Sequence, residues 1–174
     1  ELDLFGRTRR SIEGARARTG AAIWDRRDLQ VSAAAEVANS YFRLRELQAR
    51  LVVAEAELAR QRRFERLVSA RAKGGLVTGQ DLEQQRSERA GSAAAIPPLK
   101  ALADAQVHAL GVLTGDTPEA LAARLATPAP LPSPTVVPPG LPSDLLRRRP
   151  DIRWAERELA ASSADIGVAV ADLY

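Results

Sequence analysis

The longest periodic stretch of the chain lies between Leu4 and Lys73, where no proline interrupts the sequence. Apolar residues recur there at intervals of three and four, which is the spacing of a coiled-coil seam. We therefore predict one continuous helix of about 70 residues, much longer than the helices of most compact domains. The seam consists of Val37, Tyr41, Leu44, Leu47, Leu51, Ala54 and Leu58.

A cluster of glycines ends this stretch and predicts a tight reversal of the chain. Gly74, Gly75 and Gly79 flank the short sequence Leu76-Val77-Thr78, and glycine supplies the backbone freedom that such a turn needs. The same apolar spacing then continues from Gln80 to Leu113. We therefore predict an antiparallel helical hairpin over residues 1–114, with its tip at 74–81. The second seam consists of Ile96, Leu99, Ala103, Gln106, Leu110 and Leu113.

Two prolines lie inside the second helical stretch. Proline removes a backbone donor and clashes with the preceding helical turn, so Pro97 and Pro98 predict a kink or a short break at Ile96. Alternatively a new helix begins there, because proline is tolerated in a first turn.

A change of composition divides the last third of the chain. Residues 115–142 are rich in Pro, Thr, Ala and Leu and are predicted to form an extended connector. Helix resumes over 143–174 with Ser143 as N-cap, and its partners cannot all lie within this chain. The predicted fold is all-α: a long coiled-coil hairpin plus a third amphipathic helix. The third seam consists of Ile152, Ala155, Leu159, Ser162, Ile166, Ala169 and Leu173.

Composition supports the all-α class and disfavours nucleic acid as a partner. Aromatic residues make up only 4% of the chain, which leaves little material for the core of a sheet. The net charge is +3, but the arginines alternate with 22 acidic residues and form no single basic stripe.

The residues that could carry chemistry are few. The chain has no cysteine, and His108 is its one histidine, with no second imidazole to share a metal or a proton. Gly74 and Gly75 lack the spacing of a phosphate-binding loop. No apolar run approaches the length of about 18 residues that a membrane-spanning helix needs. We therefore expect no enzyme activity, metal site or cofactor.

The helical arms next to the tip are unusually polar. From Gln61 to Ala95 charged and amide side chains occupy nearly every face, although long helices need a packing partner. A pore wall satisfies both conditions, because one face of each helix meets a neighbour through small residues while another faces water.

Three segments resemble the outer-membrane factors of tripartite efflux pumps, and most closely the lipoprotein branch of NodT type. Residues 1–7 are similar to the segment that leaves a membrane β-hairpin. Residues 75–78, followed by Asp81, resemble the helix-turn-helix tip of that family. Residues 141–152, which include Arg147-Arg148-Arg149-Pro150-Asp151, resemble the start of its second structural repeat.

The resemblance implies a homotrimeric channel that exports drugs, metals or other toxic compounds with an inner-membrane pump and a periplasmic adaptor. This chain would be the periplasmic tunnel segment between two membrane β-hairpins, in a protein of the cell outer membrane. The tip would dock the adaptor and constrict the entrance through Gly75, Leu76, Val77, Thr78 and Asp81. Asp81 would either stabilise the start of a helix or link to a neighbouring helix and hold the entrance shut.

Two other hypotheses fit parts of the pattern. The α-hairpin of a periplasmic adaptor also has two helices and a short tip, but the segment from Arg147 to Ile152 argues against it. A structural coiled-coil scaffold explains the periodicity but neither the polar arms nor the connector.

The sequence departs from the pattern of the efflux family at Gly79, Gln80 and Gly91. Gly91 is expected to interrupt the second arm.

Overall fold

The described part of the chain is all-α, as predicted. The computed structural model describes residues 3–131, 133, 140 and 142–173, and no strand occurs among them. Two compact units are formed, one by residues 1–35 with 134–174 and the other by residues 36–133. The helices are α1 (Arg7–Lys73), α2 (Gly79–Ala94), α3 (Ile96–Thr114), α4 (Pro118–Leu125), α5 (Pro142–Arg148) and α6 (Pro150–Ala171).

Helix α1 is the continuous helix that the first seam predicts, with 67 residues. The Asp3 carboxylate caps its first turn by accepting hydrogen bonds from the amides of Thr8 and Arg9, at 3.1 and 3.0 Å. These amides have no partner within the helix, so the cap satisfies donors that would otherwise depend on water. Residues of α1 contribute to both compact units, so the units do not follow the division at 114 and 142 that composition suggests.

In the unit formed by residues 36–133, α1 packs antiparallel to α2 and α3. Gln61 is bonded to Gln85, whereas Glu55, farther from the turn, pairs with Lys100. Most of the first predicted seam, with Ala103 and Leu110 of the second, forms the core of this hairpin, and Leu44 is its most buried large side chain. The core cluster consists of Leu44, Ala103, Leu110 and Leu121, with Val37, Tyr41, Leu47, Leu51, Val107 and Leu125 packed against it.

The two prolines of the second arm lie in the first turn of a new helix. Helix α2 ends at Ala94 and α3 begins at Ile96, with Pro97 and Pro98 at positions whose amides need no helical partner. Ala95, between the two helices, keeps helical backbone angles, with φ of −73° and ψ of −20°. Gly91 lies within α2 and does not interrupt it.

The predicted connector is not extended throughout, because its first part contains α4. Thr117 is the N-cap and accepts a hydrogen bond of 3.4 Å from the Ala120 amide, while Pro118 begins the helix. Leu121 is buried and Leu125 packs beside it on the hairpin core. The sequence pattern did not predict this helix, because the segment is rich in proline, although threonine followed by proline is a typical helix start.

A buried arginine fixes the end of α4. The Nη1 atom of Arg45 donates to the Thr127 carbonyl at 2.7 Å and to Gln48 Oε1 at 2.8 Å, and its guanidinium lies 4.9 Å from the centre of the Tyr41 ring. Gln48 donates to the Leu125 carbonyl at 2.8 Å. A cation is favourable beside the C-terminal carbonyls of a helix, so Arg45 needs no carboxylate here.

In the other unit, α1 and α6 approach each other through small side chains. A Cβ atom placed on Gly14 would lie 3.5 Å from the Cβ of Ala164, and the Arg7 guanidinium lies 2.5 Å from Asp172. Such close packing of backbones gains dispersion energy that larger residues would prevent. The buried side chains of this contact are Ala17, Ala21, Ala161, Ala164 and Ala171.

The apolar seam predicted for the third helix faces outward. Leu159, Ile166 and Leu173 are 69%, 67% and 79% exposed. The alanine face of α6 occupies the contact instead, because it allows the shorter distance between helices. The expectation that this helix needs partners beyond the chain therefore stands as a prediction.

The predicted third helix is divided in two. Arg149, between α5 and α6, is extended with ψ of 123°, because the ring of Pro150 disfavours helical angles in the preceding residue. Its guanidinium donates to both oxygens of Asp151, at 3.0 and 2.6 Å, and these bonds lower the pKa of that carboxyl. Helix α5 begins at Pro142, so Ser143 lies in its first turn and is not its N-cap.

We expect Leu44→Ala to destabilise the hairpin unit by about 2 to 4 kcal/mol, because the residue is 1% exposed and its truncation leaves a cavity. Chemical denaturation followed by circular dichroism measures this loss. Leu102→Ala is the matched control, since Leu102 is 53% exposed and its truncation should change stability by less than about 1 kcal/mol. Equal losses in the two variants would contradict the assignment of the core.

Candidate functional site

Helix α1 ends at the tip in a Schellman motif. The Leu76 amide donates to the Arg71 carbonyl at 2.9 Å, and the Gly75 amide donates to the Ala72 carbonyl at 3.0 Å. Gly75 has φ of 73°, a left-handed conformation that glycine adopts without steric cost. The chain therefore leaves α1 in a direction that is set by backbone hydrogen bonds.

Helix α2 begins at Gly79, and its N-cap Thr78 forms a capping box. Thr78 Oγ1 accepts from the Asp81 amide at 3.2 Å, and the Asp81 carboxylate accepts from the Thr78 hydroxyl at 2.7 Å and from its amide at 2.9 Å. The hydroxyl bond, followed by the amide bond, lowers the pKa of Asp81. Asp81 thus stabilises the start of a helix. Its second expected role, closing the entrance, stays a prediction.

The five predicted tip residues lie together but differ in what they present to a partner. Gly75, Thr78 and Asp81 hold the backbone. Leu76 is 76% exposed, and Val77 is half-buried beside it. The tip therefore displays one large apolar side chain on a turn that is rigidly capped on both sides.

Polar side chains pair across the two arms next to the tip. Gln85 is buried, and its Nε2 atom donates to Gln61 Oε1 at 2.6 Å. Glu65 lies 2.8 Å from Arg89 Nε, without the angle of a hydrogen bond, and 3.8 Å from Arg86. These contacts supply a packing partner for the polar arms that sequence periodicity could not reveal.

A basic groove also opens along these arms. It encloses about 440 Å³, and the sequence pattern alone did not reveal it. The cations of its α1 wall, Arg62, Arg66 and Lys73, recur at intervals of four and seven residues, which places them on one helix face. We call it the basic groove; its lining residues are Arg62, Glu65, Arg66, Ser69, Ala70, Lys73 and Arg89.

The capping box predicts a pH dependence of tip stability. Because the pKa of Asp81 is lower in the folded tip, its carboxylate stabilises the tip above an unfolded-state pKa of about 3.9. This contribution is lost as the pH falls through the folded-state pKa. We expect Thr78→Val to raise the pKa of Asp81 and Thr78→Ser to preserve it, as measured by carboxyl carbon shifts in NMR titrations. An unchanged pKa in Thr78→Val would contradict the capping assignment.

None of the helices in the described residues combines the length and hydropathy that a membrane-crossing helix requires. The family model described as outer membrane efflux protein matches residues 1–116.

Individual relatives match over the whole chain or nearly so. The probable efflux pump outer membrane protein TtgC of Pseudomonas putida is 35% identical over all of this chain and 36% of its own length. Nodulation protein T of Rhizobium leguminosarum bv. trifolii is 32% identical over 98% of the chain and 37% of its own length. The chain thus spans little more than a third of these relatives.

A solved structure gives the same result for the fold. The outer-membrane channel OprN superposes on all of this chain with a TM-score of 0.91 and 43% sequence identity, over 39% of the OprN chain. The resemblance expected from the sequence segments is therefore confirmed. The chain belongs to the outer membrane efflux protein family.

Proposed function

We propose that the chain is a wall segment of the periplasmic tunnel in a homotrimeric outer-membrane channel. This channel exports small molecules, such as drugs, metals or other toxic compounds, with an inner-membrane pump and a periplasmic adaptor. The agreement with OprN over the whole chain supports the proposal, as do the relatives named for efflux. No catalytic step is assigned to the chain.

The observation that carries the proposal is the apolar stripe of α6. Leu159 and Ile166 share one face of the helix, and Leu173 follows its end. All three are largely exposed, while the alanines of the opposite face pack on α1. An apolar stripe of this kind on a long helix marks a contact with other helices. A closed tunnel supplies such helices, from further segments of the same protomer and from neighbouring protomers.

The tip contributes a second element of the proposal. Leu76 offers an exposed apolar side chain on a backbone that is fixed by the Schellman motif and the capping box. An anchor of this kind suits docking, because little conformational freedom is lost when a partner binds. We propose that the adaptor binds here and that Asp81 also helps to hold the entrance shut.

We expect the double variant Leu159→Glu and Ile166→Glu to reduce self-association of the 174-residue chain, because it places charges on the apolar stripe. Sedimentation velocity over a range of concentrations measures the change. Leu131→Glu introduces a single glutamate at a 57% exposed leucine outside the helices, and it should leave association unchanged. Association that is equally strong in all three proteins would argue against the stripe as a helix contact.

We expect Leu76→Asp to lower adaptor-dependent export through the channel by about tenfold or more, because it removes an exposed apolar anchor. Export is measured as drug tolerance and dye efflux in cells that depend on the channel. The trimer should assemble normally, since Leu76 makes little contact within the chain. Normal export by Leu76→Asp would contradict the docking role, whereas Leu76→Met is the conservative control and should retain export.

A further inference from the structure

Few contacts attach helix α4 to the hairpin. It has eight residues, of which Leu121 is buried and Leu125 is half-buried, while the other six are exposed. A helix of this length is not stable in water by itself, so it keeps its shape only while these leucines stay packed on the core. Segments with so few buried contacts open more often than the rest of a fold.

A short turn joins α4 to α3 and provides a hinge. Gly115 ends α3 in a left-handed conformation with φ of 75°, and Pro118 begins α4. Residues 114–117 are all exposed. Exposed residues between two helices can change their backbone angles without disturbing a core, which is what a hinge requires.

Two side chains of α1 hold the other end of α4. Gln48 Nε2 donates to the Leu125 carbonyl at 2.8 Å, and Arg45 Nη1 donates to the Thr127 carbonyl at 2.7 Å. Both acceptors are backbone carbonyls at or just beyond the last turn of α4. The bonds therefore form only when the chain lies in its present position on α1, and they break together when it leaves.

This attachment leaves one polar group unsatisfied. Arg45 is 7% exposed, and its Nε atom is buried with no hydrogen-bond partner among the described residues. A buried guanidinium with an unpaired donor costs free energy, and hydration removes that cost. Departure of residues 125–127 would uncover Arg45, so the closed position carries a cost that opening relieves.

We propose that α4 and the chain up to Thr127 form a strap that opens and closes on the hairpin while α1 and α3 stay paired. The strap turns at residues 115–117, and Arg45 and Gln48 are its latch. Opening uncovers Leu44, because Leu121 and Leu125 pack in the cluster around it, and widens the adjoining groove of about 400 Å³. The attachment of this part of the connector to the hairpin is therefore reversible.

Hydrogen exchange in the purified full-length channel, followed by mass spectrometry, measures how often each helix opens. The amides of residues 121–125 should be protected about a hundredfold less than those of residues 103–110 in α3. Urea below the unfolding transition should accelerate exchange weakly in α4 and steeply in α3, because opening of the strap exposes little surface. Equal protection and equal urea dependence would overturn the proposal, since α4 would then open only together with the hairpin.

Variants of the latch test its role. We expect exchange in α4 to become about tenfold faster in Arg45→Ala, which loses the whole side chain, and about threefold faster in Gln48→Ala, which loses the bond to the Leu125 carbonyl. Exchange in α3 should change by less than about twofold. Arg43→Ala is the matched control, because Arg43 is an exposed arginine of the same turn of α1, and it should leave both helices unchanged.

Gln48→Ala decides the matter if Arg45→Ala does not assemble. Acceleration confined to α4 supports the latch. Equal acceleration in α3 and α4 would show that the side chain supports the hairpin as a whole, and no acceleration in either would show that it holds nothing. Both of these results overturn the proposal.

Trypsin gives an independent readout, because Arg124 lies within α4 and a protease cleaves a helix only after it opens. The full-length channel should be cut after Arg124 before any site within residues 43–66 of α1. Gln48→Ala should speed this cut about threefold, in proportion to the exchange rate, and Arg43→Ala should not. Cleavage in α1 at the same rate as after Arg124 would contradict a strap that opens by itself.

Discussion

The structure depends on one requirement: a helix of 67 residues must find a packing partner along its length. Only part of that requirement is met by large apolar residues. Near its start α1 uses alanine and glycine, around Leu44 it uses a compact leucine core, and beyond Gln61 it uses amide and charged side chains. Each kind of packing leaves a different surface exposed. The changing chemistry along this one helix therefore determines where the chain can contact other molecules.

Close packing through small residues explains the exposed stripe of α6. Because alanines such as Ala164 occupy the contact with α1, the larger apolar residues of α6 remain available on the other face. Polar pairing likewise explains why a groove stays open along the arms next to the tip. Gln85 and Gln61 satisfy each other, so the neighbouring arginines are free to line an open groove. The caps of the tip, finally, hold Leu76 in place.

Sequence periodicity predicted the hairpin and its core because the leucine seam is regular and free of proline. It also located the tip, where Gly75 and Thr78 have well-known cap preferences. It missed α4, whose Thr117-Pro118 start stands in a proline-rich segment, and it did not identify the alanine face by which α6 packs on α1. Periodicity finds the most apolar face, whereas packing distance favoured alanine. Sequence periodicity could not reveal the basic groove, because the pairing of Glu65 with Arg89 joins residues that are distant in the sequence.

The proposed function requires that the apolar stripe of α6 is covered in the assembled channel. The chain contains no cysteine, so single cysteines can be placed at Leu159 and Ile166 and their reaction with a water-soluble maleimide followed. In the isolated chain both positions should react rapidly, as their exposure implies. In the membrane-embedded channel we expect strong protection at both. Rapid reaction in the channel as well would show that no helix covers the stripe and that the chain is not a tunnel wall of the proposed kind.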